Sequence, residues 1–231
     1  MTFYDELEVR SADERAAAQS RALREILSGL QGREADLEKA GQVRTIEDLP
    51  QLPVFRKSNL SGRQAQMPPF GGMLVTNATH VFQSPGPIYE PGRANGDWAR
   101  LGRFLHAAGI GAGDIVQNCF AYHLTPAGMM FDSAAQAIGA MVLPAGTGQT
   151  DLQVRAAKDV KCTAYAGTPD YLKIILDRAD ELGVTLHFKR AVVGGGALFA
   201  SLRQEYADRG ILCLQCYATA DLGNIAYESA A

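Results

Sequence analysis

From about residue 95 onward, short apolar runs alternate with longer amphipathic stretches. Short apolar runs bounded by turn residues are typical of buried strands, and apolar residues spaced three or four apart are typical of helices. Repeated strand–helix units predict an α/β fold with a mostly parallel wound sheet and helices on both faces. The predicted strands are 115–120, 141–144, 162–166, 190–193 and 211–216, and the predicted helices are 95–108, 126–139, 150–159, 169–182 and 198–209.

The start of the chain has a different pattern. Apolar residues at helical spacing predict an amphipathic helix over 11–30, with Ser11 and Glu14 as a capping box, and a second helical stretch over 34–40. Pro50 and Pro53 then stop regular structure. We therefore predict a helical leader and connector over 1–60 and an α/β body over 61–231. The apolar face of the leader helix must be covered, and one alternative is a homodimer.

Two segments between the leader and the repeating units predict extended structure. The segment 72–84 has apolar residues around a polar turn, which predicts two strands or one bent strand. The segment 84–91 contains three prolines and a glycine, so we expect a constrained extended loop that is neither helix nor central strand.

Charge and composition narrow the class of protein. The chain has 22 Lys and Arg against 25 Asp and Glu, a net charge of -3, which lacks the basic surface expected of a nucleic-acid binder. No apolar run approaches the roughly 18 residues that span a bilayer, and the first residues are acidic and polar. We therefore expect no nucleic-acid or membrane partner and a cytoplasmic location.

The cysteines indicate structural thiols. Cys119, Cys162, Cys213 and Cys216 all lie in apolar runs that predict strands. The spacing of Cys213 and Cys216 is that of a zinc or redox pair, but no second Cys/His pair accompanies it. Because a structural zinc site needs four ligands, buried structural thiols are the favoured interpretation.

In a parallel sheet, ligands bind at the loops that follow the carboxyl ends of the strands. His123 lies in the first of these loops and is either a ligand-facing side chain or an imidazole bonded to the backbone. The loop 144–150 is rich in Gly and Thr and opens a helix, which would suit an anion. A tight turn explains those small residues better.

Two later loops carry stronger signals. The glycines 194–196 end an apolar strand and allow a flat ring to lie against the backbone. They lack the dinucleotide fingerprint, and no Gly-Lys-Ser/Thr follows, so neither a Rossmann cofactor nor a P-loop is indicated. The segment 217–223 combines an aromatic ring, a hydroxyl and a carboxylate. In it, Asp221 is either a magnesium ligand or a cap of its own turn.

Taken in order, several segments resemble the motifs of one enzyme family. They are 46–60, 109–116, 146–153 and 167–171. In them the chain is similar to the amino-terminal part of the phenylacetate-CoA ligase family, a branch of the adenylate-forming acyl-CoA synthetases. The resemblance covers nearly the whole chain.

The resemblance implies an AMP-forming acyl-CoA ligase that works in two steps. A carboxylic acid attacks the α-phosphate of ATP to give an acyl-adenylate, and CoA then displaces AMP. ATP, Mg²⁺ and CoA are the implied cofactors, and the implied substrate is an aryl or apolar acid such as phenylacetate. Phe120, Tyr122 and Tyr165 near the strand ends suggest such an acid, although aromatic residues in these places are more often part of the core.

The resemblance also implies roles for individual residues, none of them catalytic. Tyr122, His123 and Gly194 would contact the acyl group, and Asp221 would hold magnesium. The residues implied to bind the nucleotide are Ser84, Gly195, Gly196, Ala197, Tyr217, Ala218 and Thr219.

The chain departs from the family pattern at three places. The segment 84–91 has no lysine, few hydroxyls and an added carboxylate, Glu90, where the family has its phosphate loop. Ala220 stands where the family has threonine, and the family's carboxyl-terminal domain does not follow. We therefore expect an incomplete fragment that is inactive alone. The alternatives are a non-catalytic adenylate- or carboxylate-binding protein on the same scaffold and an acyltransferase that uses a preformed acyl-adenylate.

Overall fold

The computed structural model describes residues 3–30, 43–73, 75 and 77–229. Two compact units are present, Met1–Leu74 and Val75–Ala231. The second predicted helix of the leader, 34–40, lies outside the described residues. Among the described helices, none combines the length and apolar character needed to cross a bilayer.

The first unit contains the predicted leader helix. Helix α1 spans Ala12–Leu30, and the predicted capping box is present, since the Ser11 N–H donates to the Glu14 carboxylate at 2.8 Å and the Glu14 N–H donates to the Ser11 Oγ at 3.2 Å. Leu27 of α1 is buried in a small apolar cluster whose other members are Leu23, Val43 and Leu52. The leader helix is therefore covered in part by its own connector. The connector forms 3₁₀ helices at Ile46–Gln51 and Lys57–Asn59, followed by α2 at Leu60–Gln66.

The second unit opens with a two-stranded antiparallel hairpin of β1, His80–Ser84, and β2, Ile88–Gly92. The prediction of strands over 72–84 is thus right only for its last residues, because Asn77 has a left-handed backbone (φ 57°) that interrupts extension before β1. The segment 84–91 is extended, as predicted, and is neither helix nor central strand, since its second half forms β2 at the edge of this hairpin. Pro91 is tolerated there because a two-stranded hairpin has only edge strands.

The main sheet has six strands in the order β4-β3-β5-β6-β7-β8. The first five are parallel to their neighbours, and β8 is antiparallel to β7, so the predicted fold class is confirmed. The edge strand β8 was not predicted from the sequence. The strands are β3 Ile115–Asn118, β4 Met141–Pro144, β5 Ala164–Gly167, β6 Arg190–Val193, β7 Leu212–Thr219 and β8 Gly223–Tyr227.

Helices cover both faces of this sheet. They are α3 Gly102–Ala107, α4 Ala127–Ala137, α5 Thr150–Asp159, α6 Pro169–Glu181 and α7 Ala200–Asp208. One apolar cluster contains residues of α3 and α4 together with Val116, Val192 and Leu214, and the other contains residues of α5, α6 and α7 together with Ala191 and Val193. Neighbouring residues of β6 thus enter opposite clusters, as the period of a strand requires.

Helix α3 is shorter than the predicted 95–108 because Asp97 stops it from starting earlier. The Asp97 carboxylate accepts from the N–H groups of Leu101 and Gly102 at 2.8 and 3.0 Å. These are the amides that an earlier helical turn would have bonded within the helix. Burial raises the pKa of Asp97, and the two backbone hydrogen bonds oppose that rise.

The four cysteines are buried and unpaired as thiols. Cys213 and Cys216 lie three residues apart on β7 and enter opposite apolar clusters, so they do not form a ligand pair. Burial raises the pKa of each of these two thiols to about 12. A protonated thiol in an apolar cluster packs as a small hydrophobic group.

Candidate functional site

The carboxyl ends of β6 and β7 border a cavity of about 580 Å³. Its walls are the glycine segment after β6 and the paired ends of β7 and β8. Four of the residues predicted to bind nucleotide, Gly195, Gly196, Tyr217 and Ala218, come together here. The other lining residues are Gln215, Cys216, Ala226, Tyr227 and Glu228.

The backbone conformation and close packing of residues 194–196 explain why this segment consists of glycine. Gly195 has a left-handed backbone (φ +72°), which a side chain would strain. A Cβ on Gly194 would lie 3.1 Å from the Cys216 Sγ, which leaves little space for a side chain. The Gly194 N–H donates to the Gly167 carbonyl at 3.2 Å, which joins this segment to the end of β5. The segment therefore brings bare backbone to the cavity edge.

Tyr217 is the most exposed aromatic residue of the cavity, with 63% of its surface accessible. It lies at an irregularity in the β7–β8 ladder, between Tyr217 and Ala218, which alters the direction of the strand end. Tyr227 pairs with Cys216 in the same ladder. Two phenol rings thus border a cavity whose opposite wall is glycine backbone.

Gln215 and Glu228 line the cavity but were missed by the sequence reasoning. The Gln215 amide donates to the Gly196 carbonyl at 2.7 Å and accepts from the Leu198 N–H at 3.3 Å. The Glu228 carboxylate accepts from the Gln215 N–H at 2.8 Å and forms an ion pair with Arg203 at 2.8 Å. The one signal for Gln215 is that it is a polar residue inside an otherwise apolar strand. Glu228 directly follows β8, and since β8 was not predicted, the sequence did not place Glu228 beside β7.

The turn after β7 contains Thr219, Ala220 and Asp221. The Thr219 hydroxyl accepts from the Leu222 N–H at 3.1 Å, so this side chain closes the turn. Asp221 is exposed at the tip of the same turn. The described residues contain no group of three or more His, Cys, Asp or Glu that could hold a metal by themselves. Neither Thr219 nor Asp221 lines the cavity, and the same is true of Ala197 and Gly194.

The loop with Tyr122 and His123 follows β3 and is also outside the cavity lining. The Tyr122 hydroxyl donates to Asp132 at 2.8 Å and accepts from the Asn118 amide at 2.8 Å. Burial, and then the neighbouring Asp132 carboxylate, strongly raise the pKa of this phenol. Tyr122 is thus a fixed anchor of the loop, and the exposed His123 follows directly after it.

Ser84 is buried in the hairpin, away from the cavity lining. Its hydroxyl donates to the Glu90 carboxylate at 2.7 Å, and Glu90 is only 2% exposed. The hydroxyl predicted to contact phosphate is therefore bonded to a buried acidic side chain.

The Gly- and Thr-rich loop after β4 is organised by the buried Gln153. The Gln153 amide donates to the carbonyls of Gly146 and Gly148 at 3.0 and 2.7 Å. Its own oxygen accepts from the Gln117 amide at 3.0 Å. The loop therefore directs carbonyls at a side chain, in agreement with the tight turn favoured from the sequence.

Sequence comparison finds relatives of one kind. No protein-family model matches the chain. It is 27% identical over 232 residues to a phenylacetate-coenzyme A ligase of Thermus thermophilus, which covers 91% of this chain and 51% of that protein. It is 29% identical over 161 residues to the enzyme of the same name from Aromatoleum evansii, covering 66% of this chain and 36% of that protein. The chain thus spans about half the length, or less, of these two curated relatives.

Solved structures show the same fold. A 2-hydroxyisobutyryl-CoA ligase in complex with 2-HIB-AMP, in its postadenylation state, superposes with a TM-score of 0.80 at 24% identity. The match covers 92% of this chain and 50% of that one. An open conformation of a 2-hydroxyisobutyryl-CoA ligase with 2-HIB-AMP and CoA gives a TM-score of 0.79 at 21% identity. At these identities the likeness establishes the fold.

Proposed function

Because the chain is related to the amino-terminal part of the phenylacetate-CoA ligase family, we propose that it supplies the adenylate-binding part of an AMP-forming acid–CoA ligase. The observation that carries the proposal is the cavity of about 580 Å³, where Gly195, Gly196, Tyr217 and Ala218 meet. Gly195 and Gly196 come from the segment after β6, and Tyr217 and Ala218 come from the end of β7, so two separate segments supply the four residues.

The adenine ring is proposed to lie between Tyr217 and the glycine segment. A flat ring can approach the backbone of Gly195 and Gly196 closely because no side chain intervenes. The exposed phenol of Tyr217 offers an aromatic face, and stacked aromatic pairs add about 0.5–1.5 kcal/mol beyond the area they bury. The cavity therefore fits a planar heteroaromatic ring better than a flexible aliphatic ligand.

Magnesium is proposed to be held by Asp221 with help from substrate oxygens. Mg²⁺ usually keeps several waters and takes one or two carboxylates plus substrate phosphates, so a single exposed carboxylate fits its needs. When bound, the ion would neutralise charge on the phosphate oxygens. Asp221 itself contributes one negative charge at the tip of the turn after β7.

For the whole protein we propose the two-step reaction of an acid–CoA ligase. The carboxylate oxygen of the acid forms a bond to the α-phosphorus of ATP, and pyrophosphate leaves. The CoA sulfur then bonds to the acyl carbon, and AMP leaves. Tyr122 and His123 are proposed to border the acid, with Tyr122 anchored by Asp132 and Asn118 so that His123 is presented in a fixed loop.

A second candidate function is transfer from a preformed acyl-adenylate. It is favoured by the buried hydrogen bond between Ser84 and Glu90 at 2.7 Å. In the segment that stands where the family has its phosphate loop, the Ser84 hydroxyl donates to a carboxylate and no lysine is present. A protein that receives the adenylate already formed has no need to bind the β- and γ-phosphates.

A thermal-shift titration tests the proposal on this chain, with a nonhydrolysable aryl-adenylate mimic in one arm and ATP with Mg²⁺ in another. Saturation at about 100 times Kd stabilises the folded state by about 2.7 kcal/mol, which corresponds to roughly 5–10 °C for a chain of this size. Tyr217→Ala should reduce the shift, and Tyr89→Ala, which removes a half-exposed phenol of the hairpin, should not.

The two arms separate the candidates. Stabilisation by both ligands supports the ligase, and stabilisation by the mimic alone supports the use of a preformed adenylate. If neither ligand stabilises the chain, the proposed adenylate site is refuted.

A further inference from the structure

The side chain of Gln215 forms a hydrogen bond to the glycine segment that makes one wall of the cavity. We propose that Gln215 is a positioning residue that fixes the backbone of residues 196–198 in the shape that receives the adenylate. The proposal rests on the proposed function of this cavity and adds a residue that neither the motif pattern nor the resemblance assigns.

The contacts of Gln215 reach both kinds of backbone group. Its Nε2 donates to the carbonyl of Gly196 at 2.7 Å, and its Oε1 accepts from the N–H of Leu198 at 3.3 Å. Both partners lie between β6 and α7, where the chain has no regular secondary structure to satisfy them. One amide therefore supplies a donor and an acceptor to the same loop.

Gln215 is itself held in place. Its N–H donates to the Glu228 carboxylate at 2.8 Å, and its carbonyl accepts from the Glu228 N–H at 3.0 Å. Glu228 is paired with Arg203 of α7 at 2.8 Å, and Arg203 also donates to the carbonyl of Cys213 at 2.9 Å. The loop is thus connected through Gln215 to β7, to the end of β8 and to α7.

The loop needs such an anchor because of its composition. Glycine loses more backbone freedom on ordering than any other residue, and Gly195 already has a left-handed backbone. Without Gln215, the Gly196 carbonyl would be free to turn toward the cavity that Gln215 also lines. A ligand would then have to order the loop as it binds, and the cost would appear in its affinity.

The chemistry of the side chain makes the proposal specific. Leucine at 215 has similar size and forms neither hydrogen bond. Glutamate can still accept from the Leu198 N–H but cannot donate to the Gly196 carbonyl when ionised. We therefore expect affinity for an adenylate to fall in the order native, Gln215→Glu, Gln215→Leu.

Two measurements on the full chain test this. Calorimetric titration with the nonhydrolysable aryl-adenylate mimic should show a Kd raised about tenfold in Gln215→Leu. A tenfold change corresponds to a free-energy cost of about 1.4 kcal/mol for ordering the loop as the ligand binds. Hydrogen exchange should show faster exchange of the Leu198 amide in Gln215→Leu, with slow exchange retained in Gln215→Glu. The Glu228 amide, bonded to the Gln215 carbonyl, should exchange as in the native chain.

Gln204→Leu is the matched control. Gln204 lies on α7, where its amide donates to Asp208 at 2.8 Å on the exposed surface, so the same chemical change there should leave the Kd within twofold. A Gln215→Leu chain that keeps both the native Kd and the native Leu198 exchange overturns the proposal. If Gln215→Leu does not fold, Gln215→Glu decides, and a native Kd for it also overturns the proposal. Failure of the native chain to bind the mimic would instead refute the proposed function and, with it, this inference.

Discussion

Replacing Gln153 by leucine tests the polar network beneath the loop after β4. Gln153 is 4% exposed and lies in α5 with its amide directed at that loop. The substitution keeps the approximate volume of the side chain and removes all of its hydrogen bonds. The carbonyls of residues 145, 146 and 148 lose their donor, and the Gln117 amide and the Cys119 thiol lose their acceptor.

The expected cost follows from those five lost partners. A buried polar group left without a partner costs about 1–3 kcal/mol, and the added apolar surface of leucine returns part of this. Loop carbonyls can turn toward water, whereas the fully buried Gln117 cannot. We therefore expect Gln153→Leu to lower the free energy of unfolding by about 3 kcal/mol.

Urea unfolding followed by tryptophan fluorescence reports on the compact unit that contains Gln153. Trp98 is the only tryptophan of the chain and lies in the second compact unit. Gln204→Leu, the exposed counterpart, should change the free energy of unfolding by less than about 0.5 kcal/mol. In the double variant Gln117→Leu with Gln153→Leu, the cost should be below the sum of the single costs, because the two side chains share a hydrogen bond. A loss below 1 kcal/mol for Gln153→Leu, with an unchanged urea dependence, would refute the reasoning.

Two further predictions concern packing and pH. Gly128→Ala should lower the free energy of unfolding by about 2 kcal/mol or more, because its Cβ would lie 2.6 Å from the Ala121 carbonyl, whereas Gly111→Ala, with no atom within 4 Å of its Cβ, should leave stability nearly unchanged in the same urea assay. Stability should fall as the pH rises above about 9, because burial raises the pKa of Cys119 to about 12 and the thiol ionises first in the unfolded chain. Cys119→Ala should show a shallower decline over that range, and an equally steep decline would contradict the assignment.

The main sheet could be predicted because its elements repeat one signal. Each central strand is an apolar run between amphipathic stretches, and β4, β6 and α5 have the predicted bounds. The edge strand β8 was missed because it carries no such run, and its last three residues are exposed. An edge strand is specified by its pairing with β7, which is a tertiary contact that local pattern does not report.

The candidate site divides in the same way. Gly195, Gly196, Tyr217 and Ala218 could be found because a strand end followed by unusual residues is visible in sequence, and the fold brings those two loops together. Gln215 could not be found by that rule, since it lies inside a strand and only its partners lie in the loop. Ser84 was selected from its place in the sequence, but its hydroxyl donates to Glu90 across the hairpin. That hydrogen bond is a tertiary contact that the local sequence does not show.

Three side-chain amides share one role at the carboxyl edge of the sheet. Asn118 donates to the Tyr122 hydroxyl and accepts from the Phe120 N–H in the loop after β3, Gln153 donates to the loop after β4, and Gln215 holds the segment after β6. Loops without regular structure leave N–H and C=O groups that must be paired, and an amide side chain offers both a donor and an acceptor. Because each amide is uncharged, it fixes its loop without adding charge beside the anionic adenylate that we propose as the ligand. The shape of the edge that would receive an adenylate is therefore set by residues beneath the loops, which is why motifs read from the loops alone describe the site incompletely.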